Sequence, residues 1–268
     1  TTIGLMALLG CFTGFMAGLL GIGGGMIITP FLIMLIPSSL IPHEHIVHVA
    51  IATSLATIAF TSLSSVRAHH KRGAVLWNVV ASVAPGILVG AVVGAQIAGW
   101  LPTFWLSLIF AAFVGFSAFK MFLNKSPRPD RNLPGTIGKF FMGIAIGILS
   151  ALVGAGGGFI SVPWMIWCNV KMQNAVATSA AFGFPIALFG TIGYIISGWN
   201  VSGLPPWPID LGYICIPALF SVAITSVLFA PLGAKVAHSI DTKPLKKIFA
   251  CLLCFVCLYM IRQAYLAM

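Results

Sequence analysis

The chain has 268 residues, of which 59% are hydrophobic and only 7% are Asp, Glu, Lys or Arg, with a formal net charge of +10. A water-soluble domain carries roughly 25% charged residues, so most of this surface faces something other than water and a soluble fold is excluded. The basic residues lie in short stretches between apolar runs, which argues against nucleic acid as a partner and reads as Lys and Arg held in cytoplasmic loops.

Residues 2–20 form the first apolar helix, with Gly4, Gly10, Gly14 and Gly18 spaced to leave a groove for close helix packing. Gly21, Gly23, Gly24 and Gly25 then break it. A short apolar piece at 26–36 follows, about 16 Å long at the helical rise, or half a membrane. After a loop at 37–45, helices are predicted at 46–66, 75–98 and 103–122, each near the roughly 20 residues that a bilayer crossing needs. Arg67, His69, His70, Lys71 and Arg72 are read as a cytoplasmic loop. Residues 123–136, with Lys125, Arg128, Asp130 and Arg131, read as a cytoplasmic linker between a first transmembrane repeat, 1–122, and a second, 137–268.

The second repeat begins again with an apolar helix at 137–153, a break at Gly154-Ala155-Gly156-Gly157-Gly158 and a short piece at 159–168. Spans at 172–197, 210–238 and 245–266 complete it, with His238 in a loop. Trp100, Trp105, Trp199 and Trp207 fall at the predicted outer boundaries, where Trp is common. Cys11, Cys168, Cys215, Cys251, Cys254 and Cys257 all sit in apolar runs and read as small packing residues. No His or acidic residue joins the last three, so no metal site and no cofactor is expected.

Three matches arrive in the same order in both halves. Gly21 to Pro30 aligns with Gly154 to Pro163, Ala52-Thr53-Ser54 with Ala177-Thr178-Ser179, and Gly94-Ala95 with Gly233-Ala234. With residues 67–72 placed in the cytoplasm, alternation of the loops brings every Lys and Arg except Arg262 to or near that side. The two halves then enter the membrane from opposite sides. The predicted fold is an all-α polytopic membrane protein of two inverted repeats, each a glycine-broken helix pair plus three transmembrane helices. Each broken pair makes either no crossing, as a re-entrant hairpin, or two, so between six and ten helices are expected.

Unpaired backbone amides are costly in hydrocarbon, so a glycine run there needs protein, water or a ligand beside it. The short helix after each run opens with free N–H groups and the positive end of its dipole, and glycine lets an anion approach them. Gly23, Gly24, Gly25, Gly156, Gly157 and Gly158 are therefore candidate substrate-binding residues, with Thr29, Thr53, Ser54, Ser161, Thr178 and Ser179 as hydroxyl donors. The plainer alternative is that glycine only lets helices touch, within one chain or across a homodimer. Glu44, Asp130, Asp210 and Asp241 all lie away from span centres, which disfavours a coupled cation site. His43, His45 and His48 stand at the outer edge of the 46–66 span, either as an interfacial polar cluster or as a proton-coupling group. No catalytic dyad or metal set suggests an enzyme.

The doubled Gly-x-Gly-Gly-Gly-x-x-x-x-Pro motif, each copy followed by Ala-Thr-Ser, resembles the sulfite exporter TauE/SafE family of membrane permeases. The resemblance runs over nearly the whole chain. It implies a secondary carrier, in a bacterial inner membrane and among its lipids, for small sulfur-containing anions such as sulfite, thiosulfate, sulfonates or related organic acids. The working expectation is alternating access with the anion at the two glycine breaks. The alternatives are an anion channel for similar solutes and a proton-coupled carrier of another small organic anion.

Overall fold

A computed structural model describes residues 2–20, 24–36, 41–123, 132–201, 204–205, 210–237, 239 and 243–267. Gly23, Trp207, His238 and most of the expected linker (124–131) lie outside the described residues. Among the described residues the chain forms ten helices: α1 (Thr2–Leu20), α2 (Gly25–Leu35), α3 (Ile46–His70), α4 (Trp77–Trp100), α5 (Thr103–Leu123), α6 (Thr136–Val153), α7 (Gly158–Trp167), α8 (Met172–Gly198), α9 (Ile216–Ala237) and α10 (Lys243–Leu266). Six of them, α3, α4, α5, α6, α8 and α9, are long and apolar enough to cross a membrane. The chain is an all-α polytopic membrane protein.

Five helices make each repeat, and their packing follows an internal two-fold relation. α1 lies along α9 as α6 lies along α4; α2 packs on α3 as α7 packs on α8; α3 meets α9 as α8 meets α4. α3 with α8, and α5 with α10, are pairs of equivalents that face each other. This is the contact pattern of an inverted repeat, and every major seam joins one copy to the other.

Glycine sets how close the seams are. A Cβ on Gly10 or Gly14 of α1 would fall on the backbone carbonyl of Val222 or Ser226 in α9. In the other seam a Cβ on Gly143 or Gly147 of α6 would meet the carbonyls of Val83 and Ile87 in α4. Gly86 and Gly90 of α4 lie equally tight against Phe140 and Ile144. In lipid no hydrophobic effect separates helix from solvent, so association rests on van der Waals contact, and residues without side chains maximise it. The glycine faces therefore find their partners inside one chain.

α3 and α8 fill the centre, and α3 is the most enclosed of the long helices. Among its polar residues, His48, Thr53, Ser54, Thr57, Thr61, Ser62, Ser65 and His69 are buried, whereas Ser64, Arg67 and His70 are not. Thr57 and Thr61 return their hydroxyls to the carbonyls four residues back, at 2.9 and 3.0 Å, and Thr61 Oγ1 also lies 2.8 Å from Ser226 Oγ of α9. The outer helices turn large apolar side chains outward instead, among them Leu8, Phe116, Ile224 and Leu228. Trp100, Trp105 and Trp199 are exposed at the ends of α4, α5 and α8.

Two boundaries differ from the sequence expectation. α3 continues to His70 and takes His69 with it: this residue is fully buried, and its Nε2 lies 3.2 Å from the Gly18 carbonyl. Arg72 reaches the Ala234 carbonyl at 2.7 Å. The basic cluster read as a loop thus ties α3 to α1 and α9. The expected span from 210 opens instead with an antiparallel ladder, Asp210–Leu211 on Ile214–Cys215, turned at Gly212 with φ of 59°.

A direct comparison tests the seams. Gly90→Val places side-chain atoms in the α6 backbone and should lower stability by about 1–3 kcal/mol, read as a fall in the thermal unfolding midpoint in detergent. Gly4→Val, with open space at its Cβ position, should leave that midpoint unchanged.

Candidate functional site

Both glycine runs fold into the same turn. Gly24, the residue before α2, has φ 73° and ψ −10°; Gly157, before α7, has φ 77° and ψ −9°. This left-handed conformation costs an L side chain roughly 1–2 kcal/mol, which is why glycine stands at both positions. The Gly24 carbonyl accepts from the amides of Ile27 and Ile28 at 3.0 and 3.1 Å, and the Gly157 carbonyl from Ile160 and Ser161 at 3.1 and 3.0 Å. The amides ahead of them, those of Gly25, Met26, Gly158 and Phe159, take no acceptor among the described residues. No side chain caps either helix.

The two turns meet in the buried middle of the chain. A Cβ on Gly25 would fall on the carbonyl oxygen of Gly154 and close to Ala155. Ser54 donates to that same Gly154 carbonyl at 3.1 Å. Thr29 Oγ1 stands 3.0 Å from the Cβ position of Gly154, and Ser150 Oγ 3.2 Å from that of Gly157. Ser161 donates to Ser179 Oγ at 2.8 Å, one turn into α7. Gly24, Gly25, Gly156, Gly157 and Gly158 are buried, as are all these hydroxyls.

Thr53 and Thr178 hold the repeats together. Thr53 Oγ1 accepts from the Cys215 amide, and Thr178 Oγ1 from the Leu76 amide, each at 3.0 Å. Cys215 directly precedes α9 and Leu76 directly precedes α4. The offset that carries Gly94 onto Gly233 also carries Leu76 onto Cys215, so these are one bond made twice. Each repeat's Ala-Thr-Ser segment supplies an oxygen to an amide that the other repeat's helix start leaves open. Both threonines keep their own hydroxyl hydrogen.

Ser150 is a residue that sequence reasoning missed. It has no hydroxyl counterpart in the first half, where the register of the glycine runs places Ala17. Its Oγ and that of Thr29 are fully buried and without a hydrogen-bond partner among the described residues. Its position four residues before Gly154 was the available signal.

The histidines divide. His43 is exposed and His45 partly buried, 3.6 Å from the exposed carboxylate of Glu44. His48 is buried in the first turn of α3, and its Nε2 lies 3.0 Å from both the Ala98 and the Leu101 carbonyls, where α4 turns into α5. Carbonyls only accept, so Nε2 carries the proton and Nδ1 is left as a bare lone pair with no partner. The ring stacks on Tyr213 at 5.2 Å, and Tyr213 meets Tyr194 edge-on. Thr103 Oγ1 donates to the Glu44 carbonyl, fastening the start of α5 to the same corner.

At the breaks, then, the groups available are uncharged: amides at two helix starts and the hydroxyls of Thr29 and Ser150, while Ser54 and Ser161 already donate within the protein. Among the described residues no group of three His, Cys, Asp or Glu could hold a metal ion.

A family model described as sulfite exporter TauE/SafE matches residues 6–260. A probable membrane transporter protein of Haemophilus influenzae is 34% identical over 97% of this chain and 98% of its own length. A probable membrane transporter protein of Methanocaldococcus jannaschii is 27% identical, covering 96% of this chain and 94% of that one. Another, YdhB of Bacillus subtilis, is 30% identical over 73% of this chain and 78% of its own. No solved structure matches.

The reciprocal threonine bonds have an expected signature. Thr53→Val and Thr178→Val each remove the oxygen that accepts from the other repeat, in a buried bond to Cys215 and a part-buried one to Leu76, which costs about 1–3 kcal/mol. Thermal unfolding of the two purified variants should show a loss in both, the larger in Thr53→Val, whose bond is the more buried. A loss confined to one of them would mean that the repeats are not tied symmetrically.

Proposed function

Because the chain belongs to the sulfite exporter TauE/SafE family, we propose that it is a secondary transporter of small sulfur-containing anions, working by alternating access. Sulfite, thiosulfate, sulfonates and related organic acids are the solutes, and a bacterial inner membrane is the setting. One observation carries the reading: two equivalent left-handed glycine turns, one from each repeat, bring uncommitted helix-start amides into the buried centre. Amides at a helix start, backed by the helix dipole, suit an anion at membrane depth. Gly24, Gly25, Gly156, Gly157 and Gly158 form the cradle, and Thr29, Ser54, Ser161 and Ser179 its hydroxyl wall, with Thr53 and Thr178 one step behind as ties between repeats. These described residues are buried, and the reading requires a cycle that opens them to one side at a time. Inverted repeats supply the two open stages by exchanging conformations.

Proteoliposomes test this. Saturable uptake of labelled sulfite or a labelled alkylsulfonate, with counterflow, is expected. Gly157→Ala, strained at a φ of 77° and with its Cβ crowded by Ile186 and Ile146, should displace the start of α7 and lower uptake about tenfold or more. Flux that never saturates and shows no counterflow would point to a channel. Complete indifference of the intact protein to every small anion would remove the reading altogether.

A second reading, in which a proton accompanies the anion, draws on His48. A bare, buried Nδ1 beside a ring stack is a place for a proton. Uptake should then respond to an imposed pH gradient in the parent and lose most of that response in His48→Gln. An equal response in both would leave a carrier without proton coupling at this residue.

A further inference from the structure

Thr13, Thr57, Thr61 and Ser117 all return their hydroxyls to the carbonyl four residues back. Five buried hydroxyls have no partner among the described residues, those of Thr29, Ser65, Ser107, Ser150 and Thr191, and Thr29 and Ser150 are fully buried. These two are also the hydroxyls that stand against the glycine breaks, Thr29 beside Gly154 and Ser150 beside Gly157, the N-cap of α7. A buried hydroxyl left without a partner is a cost that a chain normally avoids by turning the rotamer.

Two further features bear on what these groups meet. Every side chain named at the breaks is uncharged, so nothing there neutralises a bound ion. The cost of bringing an ion out of water rises with the square of its charge, so a second charge on the same head makes it roughly four times larger. Moreover, an amide can only donate, whereas a hydroxyl can donate or accept. A cradle of amides and hydroxyls therefore fits an oxyanion that keeps one proton, or one that carries a single charge by nature.

Resting on the anion-carrier reading above, we propose that Thr29 and Ser150 are ligands of the transported solute, and that the site takes singly charged oxyanion heads, an alkylsulfonate or hydrogen sulfite, in preference to dianionic ones such as sulfate. The second half carries Val162 where the first has Thr29, and the first carries Ala17 where the second has Ser150. Thr29→Val and Ser150→Ala thus install side chains that the fold already holds at the equivalent place.

The experiment is equilibrium binding to the purified full chain, using methanesulfonate, sulfate and sulfite over a range of pH, with thermal unfolding of each variant. Methanesulfonate affinity should not vary with pH, and sulfate should bind at least about tenfold more weakly. Sulfite affinity should fall by about tenfold per pH unit above its second ionisation, following the protonated fraction. Thr29→Val and Ser150→Ala should each weaken methanesulfonate by about tenfold with no loss in unfolding midpoint, since neither hydroxyl has a protein partner to lose. Sulfate binding as tightly as methanesulfonate, or sulfite affinity that holds as pH rises, overturns the charge preference and leaves the carrier reading in place. A fall in midpoint with unchanged binding overturns the ligand role of that hydroxyl. Binding of none of the three anions to the folded parent removes the carrier reading and this inference with it.

Discussion

A backbone amide in hydrocarbon needs a partner, and this molecule is organised around four that have none within the described chain. The helix starts after Gly24 and Gly157 could have been capped by side chains, as helix starts in soluble proteins are. Instead both use glycine and leave their leading N–H groups open. Such groups are tolerable only away from lipid, which explains why the breaks lie behind α3 and α8. The central helices in turn need an outer layer, and α1, α4, α5, α6, α9 and α10 provide it.

The outer layer does not separate along the repeat boundary. α1 belongs to the first copy and grips α9 of the second; α6 belongs to the second and grips α4 of the first. With glycine against carbonyl along both seams, each gripped pair is a stiff unit of mixed origin. Thr53 and Thr178 sit where the pairs meet α3 and α8, each holding the first residues of a partner helix.

Much of this was legible in the residues. Four glycines in five, occurring twice, marked both breaks, and the Ala-Thr-Ser recurrence found the central helices. The role of the threonines was less visible, because a hydroxyl that donates to a solute and one that accepts from a distant amide look alike in sequence. Ser150 was not legible because it has no counterpart in the first half, where Ala17 stands. His69 was read by its charged neighbours, yet its ring turns inward to Gly18. The ladder at 210–215 was hidden in an apolar run whose only sign of a turn was Gly212. In each case the missing information was a tertiary partner far away in the chain, which no local pattern carries.

The mutual threonine bonds also say something about origins. A polypeptide consisting of one half alone would carry the oxygen for a bond whose amide belongs to a copy inserted the other way up. Two such half-length molecules, lying antiparallel in a bilayer, would complete each other and would each be unfinished alone. Joined in one chain, the halves meet without diffusing, and each fills the position that the other leaves open.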